Sequence, residues 1–378
     1  MKQFKPVKTA IIGCGMISEI YLKNTVEYFQ VLDVVGCADL IRERAQAKAE
    51  KYGIRCMTNE EIYQDPEIEL VINLTYPTSH YEVTKAALLA GKNVHSEKMF
   101  AITLDQAKEL RAIAEEKGLS LTAAPDTFLG ARVQTARQII DSGILGTPIS
   151  AEILLQRCYT HQNWKKECEK RFAFCPGGGY MNDLGGYYLT AMVSLLGNIS
   201  RVTGFYRTYN PDRVFHHPQN PEYGKPMIVD HAPNCYAAAL QFENGVLCGL
   251  SMTSEVRGGG SNYAIHGTEG SLYLDDPNNF GGPLMIELAA GGGKMEVPLT
   301  HAFSDNMRGL GAADAAYALR NGRKPRCGTD LIYHVFETCQ GIEVSCDTGR
   351  VYELQSRCER PAPFAAGYLE YPEMVMDM

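Results

Sequence analysis

Short apolar runs alternate with longer amphipathic stretches over the first third of the chain. Residues 8–12 form an apolar run with strand character, which breaks at Gly13-Cys14-Gly15-Met16-Ile17-Ser18. An amphipathic stretch with Ile20, Leu22, Val26 and Phe29 follows, and a second apolar run, 31–38, ends at Asp39. The same alternation predicts a helix over 42–51, strands near 55–57 and 69–74, and a helix over 78–90 with Gly91 as its cap. A strand over 92–96, a helix over 104–117 and a strand over 119–123 complete the series. Strands alternating with helices predict a doubly wound parallel sheet, whose ligands bind at the carboxyl ends of the strands.

The pattern changes after about residue 130. A helix over 132–142 leads through the turn 145–148 to a strand over 149–156, and Gly177-Gly178-Gly179 opens a helix over about 180–196. Strand candidates then follow at 236–242, 246–253, 262–266, 270–274 and 285–288, the first two joined by Asn244-Gly245, a hairpin signal. Helices are expected over 304–321 and 330–348. This reads as an α+β domain with a mostly antiparallel sheet. The expected division is 1–128 for a dinucleotide-binding Rossmann domain, 129–360 for a substrate-binding domain and 361–378 for a tail. Residues 207–230 contain four prolines and read as a long loop able to line a site.

Composition adds mainly exclusions. At 378 residues the chain exceeds one ordinary domain, and 45% hydrophobic residues suit a globular protein. A net charge of −8 disfavours nucleic acid and anionic membrane surfaces as partners. No apolar run is long enough to span a bilayer, and the first strand follows the start too closely for a signal peptide, so a cytoplasmic location is expected. The 12 cysteines are scattered without a Cys-x-x-Cys pair; Cys158, Cys168 and Cys175 match no common zinc spacing, and no metal is expected.

The opening glycine turn carries the first chemistry. Gly13 permits a tight turn, Gly15 lets backbone approach a pyrophosphate, and Ser18 is small enough for helix to pack on strand. A carboxylate at Asp39 suits ribose hydroxyls and repels a 2′-phosphate, which favours NAD(H), although Arg42 and Arg44 lie nearby. Candidate cofactor contacts are Gly13, Gly15, Met16, Ile17, Asp39, Arg44, Thr75, Pro77, His80, Glu97 and Lys98. Lys98 follows a strand end beside Glu97, Met99 and Phe100, and an apolar wall with a nicotinamide cation is expected to lower its pKa. Asp183 and Tyr187 are four residues apart and share a helix face, with Asn182 one residue off it. Asp126, His161 and Trp164 are further candidates for substrate contact.

Taken together, Gly13-x-Gly15-x-x-Ser18, Glu97-Lys98, Leu145-Gly146, Gly177-Gly178-Gly179-x-x-x-Asp183-x-Gly185 and Gly267-Thr268-Glu269-Gly270 resemble the glucose–fructose oxidoreductase and inositol dehydrogenase family. The resemblance runs from Val7 to about Leu354. It implies a Rossmann domain followed by an open-faced sheet domain, assembled into dimers or tetramers through that sheet. The family's Glu-Lys-Pro lysine corresponds to Lys98 and its Asp-x-Gly-x-His aspartate to Asp183, while Met99 replaces the proline and Tyr187 the histidine. That histidine is the family's usual acid/base. Tyr187 with Lys98, Lys98 alone, or a histidine from elsewhere (His161, His216, His217, His231 or His334) would have to carry the proton.

The function this implies is NAD(H)-dependent hydride transfer at a secondary hydroxyl of a sugar, polyol or glycoside, the C3 hydroxyl of a glycoside being the preferred substrate. The apolar and aromatic loop over 206–223 could admit a bulky aglycone. Two rivals stand beside it: a glycosidase that works by transient oxidation and elimination, and a non-catalytic NAD-binding regulator.

Overall fold

The computed structural model describes residues 5–157, 178–215, 217–227 and 233–364. Its first sheet is parallel, with six strands: β1 (Val7–Ile12), β2 (Leu32–Ala38), β3 (Arg55–Cys56), β4 (Leu70–Asn73), β5 (Asn93–Ser96) and β6 (Leu121–Ala123). Their order is β3-β2-β1-β4-β5-β6. The order reverses between β1 and β4, so the crevice for a dinucleotide lies above those two strands. Ile11, Ile12, Val71, Ile72 and Val94 are all buried, as strands covered by helices on both faces require. Those helices include α1 (Ser18–Lys23), α2 (Arg42–Tyr52), α3 (Asn59–Gln64), α4 (His80–Leu89) and α5 (Leu104–Lys117).

The second sheet has nine strands and holds β7 (Pro148–Gln156) and β8 (Ile199–Arg207). After the small ladder of β9 (Arg213–Val214) and β10 (Pro226–Met227), it continues with β11 (Cys235–Phe242), β12 (Leu247–Thr253), β13 (Ser261–Gly267), β14 (Gly270–Asp275), β15 (Leu284–Leu288), β16 (Met295–Glu296) and β17 (Tyr352–Glu353). All pairs are antiparallel except β7 with β12. Helices α6 (Ala131–Asp141), α7 (Gly186–Leu196), α8 (Leu310–Asn321) and α9 (Thr329–Thr348) complete the described chain, α9 packing on β8, α5 and α7. The late chain also returns to the first sheet: Thr122 bridges Gly328, and the Ala123 N–H donates to the Cys327 carbonyl at 3.3 Å. Among the described residues no helix is long and apolar enough to cross a membrane.

Beyond α3 and the two-residue strands β9, β10, β16 and β17, which were not expected, four elements differ from the sequence expectation. The first amphipathic stretch is α1 followed by a π-helical turn, Asn24–Tyr28, which leaves Val26 37% exposed. The helix expected from 304 begins only at Leu310, because Gly309 sits at φ +102° and breaks the preceding chain. The helix over 180–196 contains a π-helical turn, Met181–Gly185, ahead of α7. β8 was not expected: Gly204 interrupts its alternation, and a Cβ there would lie 2.8 Å from the Ala237 carbonyl oxygen of β11. The strand therefore gives up an apolar marker to pack closely on its neighbour.

A buried ion cluster fastens the end of the described chain. The Asp314 side chain is 1% exposed and accepts from Arg323 at 2.6 Å and Arg326 at 2.7 Å, and from the Arg326 N–H at 2.6 Å. Arg326 in turn donates to the Ala362 carbonyl at 2.7 Å and stacks 4.3 Å above the Phe364 ring. Asp314→Ala should lower the unfolding free energy by roughly 3–5 kcal/mol, since it strands two guanidinium groups. Urea denaturation measures this, and a loss under about 1 kcal/mol would show the cluster to be dispensable.

Candidate active site

The glycine turn after β1 has two glycines with different tasks. Gly13 has φ +103°, and a Cβ there would lie 2.5 Å from the Leu74 carbonyl, so this glycine allows the turn to lie against the end of β4. At Gly15 a Cβ would meet nothing within 4 Å, which leaves a bare backbone face toward the crevice. Ser18, buried as the third position requires, donates its hydroxyl to the Gly15 carbonyl at 2.6 Å. At the end of β2, Asp39 accepts from the Cys14 N–H at 2.7 Å and the Ile41 N–H at 2.8 Å, so it also braces the turn. Met16 is 73% exposed beside it, Ile17 is half-buried, and Arg42 and Arg44 point to solvent.

A second shelf lies at the ends of β4 and β5. Thr75 donates to the Asn73 side chain at 2.7 Å, and Pro77 opens the short turn Pro77–Ser79. His80, a candidate cofactor contact, is buried between two carbonyls, those of Met99 at 2.9 Å and Thr75 at 3.0 Å. It ties the Thr75 turn to the turn carrying Lys98. Glu97 accepts from the Tyr21 hydroxyl at 2.7 Å and the Lys98 N–H at 3.0 Å.

Lys98 is where the two sheets' elements meet. Its ammonium donates to the Asp183 carboxylate at 2.7 Å and to the Asp183 carbonyl at 2.9 Å, and lies 5.4 Å from the Tyr187 ring centroid. The π-helical turn thus brings Asp183 and Tyr187 to one lysine, although the simple i,i+4 helical spacing is not what does so. Both side chains of the ion pair are nearly enclosed, at 14% and 12% exposure.

The charge states correct the expectation for Lys98 and add one for Tyr187. Burial pulls the Lys98 pKa down, but Asp183, Tyr187 and Glu97 outweigh it, so the net shift is upward and Lys98 is held as an ammonium. The expected lowering lacked the carboxylate partner that the fold supplies. For Tyr187, burial pushes the phenol up more than Lys98 and Arg308 pull it down, so its net shift is also upward. Arg308 had no motif to mark it. It precedes Gly309, the residue that caps the start of α8, and its guanidinium faces the Tyr187 hydroxyl as a donor. It is held by the Asn306 side chain at 2.7 Å and by Asn278.

The remaining candidates divide. Asp126, a candidate for substrate contact, is 1% exposed and accepts from the Gly309 and Gly311 N–H groups, both at 3.0 Å, at the start of α8. Burial pushes its carboxyl up to about 6. Asn182 is 5% exposed, and its Oδ1 has no hydrogen-bond partner among the described residues. His334 is fully buried, accepting from the Ile199 N–H at 3.0 Å and facing the Ser356 hydroxyl at 2.9 Å. His217 accepts from the Gln219 N–H at 3.1 Å. His161, Trp164, His216 and His231 lie outside the described residues, as do Cys158, Cys168 and Cys175.

Known proteins match this arrangement along most of its length. The model for an oxidoreductase family with an NAD-binding Rossmann fold matches residues 7–124, and that for the GFO/IDH/MocA C-terminal domain matches 133–273. The chain belongs to the GFO/IDH/MocA family. An uncharacterized oxidoreductase of Schizosaccharomyces pombe is 33% identical over 205 residues, covering 52% of this chain and 54% of the relative. The D-glucoside 3-dehydrogenase of Escherichia coli is 31% identical over 203 residues, covering 51% and 54%. The matched stretch thus spans about half the length of these curated relatives. Levoglucosan dehydrogenase in complex with NADH has the same fold, with TM-score 0.81 at 20% identity over 93% of this chain and 100% of that one. Aldose–aldose oxidoreductase from Caulobacter crescentus follows at TM-score 0.77 and 20% identity, over 93% and 100%.

In this GFO/IDH/MocA protein the residues present fit NAD: the bare Gly15 face suits a pyrophosphate, and Asp39 stands where an adenosine ribose would reach. The two glycines should therefore separate in mutagenesis. Gly13→Ala should destabilise the fold by about 1–3 kcal/mol from its positive φ and its clash with Leu74. Gly15→Ala should melt like the wild type yet lose NAD affinity at least tenfold in calorimetry; equal melting of both variants would contradict this division.

Asp126 supplies a pH signature. Its folded pKa of about 6 lies above its ordinary 3.8, so between those values the folded chain keeps a proton that the unfolded chain has lost. Stability should then fall as pH rises through that window. Asp126→Asn should flatten the fall in thermal melts taken across it, and an unchanged slope would assign the pH dependence elsewhere.

Proposed function

We propose that the protein is an NAD(H)-dependent dehydrogenase that moves a hydride between nicotinamide and a secondary hydroxyl or ketone of a sugar, polyol or glycoside. The observation that carries this reading is the Lys98–Asp183 pair with Tyr187 beside it, at the end of β5 on the cofactor shelf. When bound, nicotinamide exchanges the hydride at its C4. The chain's own residues handle the proton. For ketone reduction Lys98 already carries one, and Asp183 fixes its direction. For alcohol oxidation a group must first lose a proton; Lys98 and Arg308 beside Tyr187 pull its phenol down, but burial outweighs them, so its phenolate forms only as pH rises.

The finer substrate assignment is the C3 hydroxyl of a glycoside. The E. coli D-glucoside 3-dehydrogenase among the relatives supports it. The same family membership supports assembly into a homo-oligomer through the open face of the second sheet, where Phe205 is 80% exposed. The solvent side of β11 and β12 there is built from small residues such as Ala237, Ala239 and Gly249.

One assay tests the reading. Protein with NAD⁺ is given a panel of polyols, free sugars and aryl glycosides while absorbance at ~340 nm and product masses are followed. NADH with a product two mass units lighter is the expected result; aglycone release without NADH would replace it by the elimination glycosidase, and bound cofactor without any turnover by the regulator. Tyr187→Phe should lower kcat for oxidation by about 100-fold or more with NAD⁺ affinity unchanged. Tyr187→His should keep more activity than the phenylalanine variant. Because both proton carriers are shifted upward, wild-type oxidation should accelerate as pH rises into the alkaline range. A wild-type profile flat above neutral pH would remove Tyr187 and Lys98 from the proton path.

A further inference from the structure

The Tyr187 hydroxyl carries one proton and two lone pairs, and it rotates freely unless a neighbour fixes it. Two cations adjoin it. Lys98 lies 5.4 Å from the ring centroid and is already paired with Asp183 at 2.7 Å. Arg308 instead meets the hydroxyl itself. A guanidinium only donates, so the Tyr187 oxygen accepts from it and the phenolic proton turns to another side.

Arg308 is pinned through both its side chain and its backbone. The guanidinium donates to the Asn306 side chain at 2.7 Å, to the Asn278 carbonyl at 3.3 Å and to the Asn278 side chain. Its own carbonyl accepts from the Asn24 side chain at 2.8 Å, and Asn24 also holds the Asn306 carbonyl at 2.9 Å. Asn24 is buried and belongs to the π-helical turn after α1. The next N–H, that of Gly309, donates to Asp126 at 3.0 Å. Asp126 and Glu97 supply counter-charge to the guanidinium, so it needs no anion from outside. The backbone bonds suffice to hold the loop before α8. What they leave unexplained is why the side chain reaches Tyr187.

We infer that Arg308 is a positioning residue for the proton step: it holds the Tyr187 oxygen by one lone pair, aims the O–H at the substrate and stays bonded to the phenolate once the proton has gone. In oxidation the substrate O–H bond breaks and a Tyr187 O–H bond forms. The negative charge passes from the phenolate to the substrate oxygen, and the C–H electron pair then leaves with the hydride to the nicotinamide. Reduction runs the same step backwards. The groups that set the charge at Tyr187 are Lys98 and Glu97, from the end of β5, and Arg308; Asp126 and Glu97 act on Arg308 in turn. The role in the reaction rests on the dehydrogenase reading, whereas the Arg308–Tyr187 bond does not.

The test uses Arg308→Met and Arg308→Lys, each alone and combined with Tyr187→Phe. Oxidation of the substrate found in the panel assay is followed against pH. In parallel the Tyr187 phenol is titrated by NMR with tyrosine labelled at its phenolic carbon, the signal being assigned by its loss in Tyr187→Phe. Arg308→Met should lower kcat at neutral pH about tenfold or more and move the alkaline rise upward by about one pH unit, since a donor and a positive charge are lost from the phenolate. KM and NAD⁺ affinity should change less than about twofold, because the bond matters only to the proton step. Arg308→Lys keeps the charge without the fork, and should restore the pH position more fully than the rate. In the Tyr187→Phe background Arg308→Met should cost little further, as expected of two residues that act as a unit. Should Arg308→Met fail to fold, Asn278→Ala, which releases one side of the guanidinium, should move the Tyr187 titration in the same direction. Equal losses with and without Tyr187→Phe, or a pH profile and a Tyr187 titration that do not move, would overturn the inference and leave Arg308 a structural residue. If wild type oxidises no sugar, a Tyr187 titration raised by Arg308→Met supports the bond and counts against the dehydrogenase, and an unmoved one overturns the bond as well.

Discussion

The ion pair between Lys98 and Asp183 is the constraint on which the rest depends. One partner comes from the end of a strand in the parallel sheet and the other from the π-helical turn before α7. At 2.7 Å, and almost closed to water, the pair is too costly to break by halves. It therefore fixes the distance between the cofactor shelf and the helix that presents Tyr187. It also explains why the lysine stays charged: a neighbouring carboxylate outweighs the cost of burial.

Around that pair, structural and chemical tasks are shared by the same side chains. His80 spans two carbonyls and so sets the Thr75 turn against the Lys98 turn. Glu97 holds the Tyr21 hydroxyl on one oxygen and the Lys98 backbone on the other. Asp126 caps the start of α8, and the residue just before that start is flanked by Arg308. A defect in the helix start would thus reach Tyr187 through one intervening residue. Buried polar groups in such a chain position one another, and this is why they are fully bonded at most points.

Much of this was legible in the sequence, and for identifiable reasons. The alternation of apolar strands and amphipathic helices before residue 124 is strong because both faces of a parallel sheet are covered, and α5 was placed at its observed bounds. Gly13, Gly15 and Ser18 announced the turn because each solves a local backbone problem. Lys98, Asp183 and Tyr187 were legible through spacing and resemblance. Their protonation was not, since a pKa depends on partners 85 residues apart in the chain, as Lys98 and Asp183 are. β8 was hidden by Gly204, whose missing side chain serves packing across the sheet. Arg308 was hidden because a single arginine carries no pattern; only the fold brings it to Tyr187.

Asp39 holds a further consequence, for the cofactor's exchangeability. Its two oxygens already grip the Cys14 and Ile41 amides, so the acid proposed for a ribose is also the brace of the glycine turn. Exchanging it for a smaller or basic residue to admit a phosphorylated ribose would loosen the loop that must hold the pyrophosphate. Cofactor preference in this protein is thus tied to loop rigidity, and retuning it calls for a compensating change at the glycine turn as well as a new charge at the strand end.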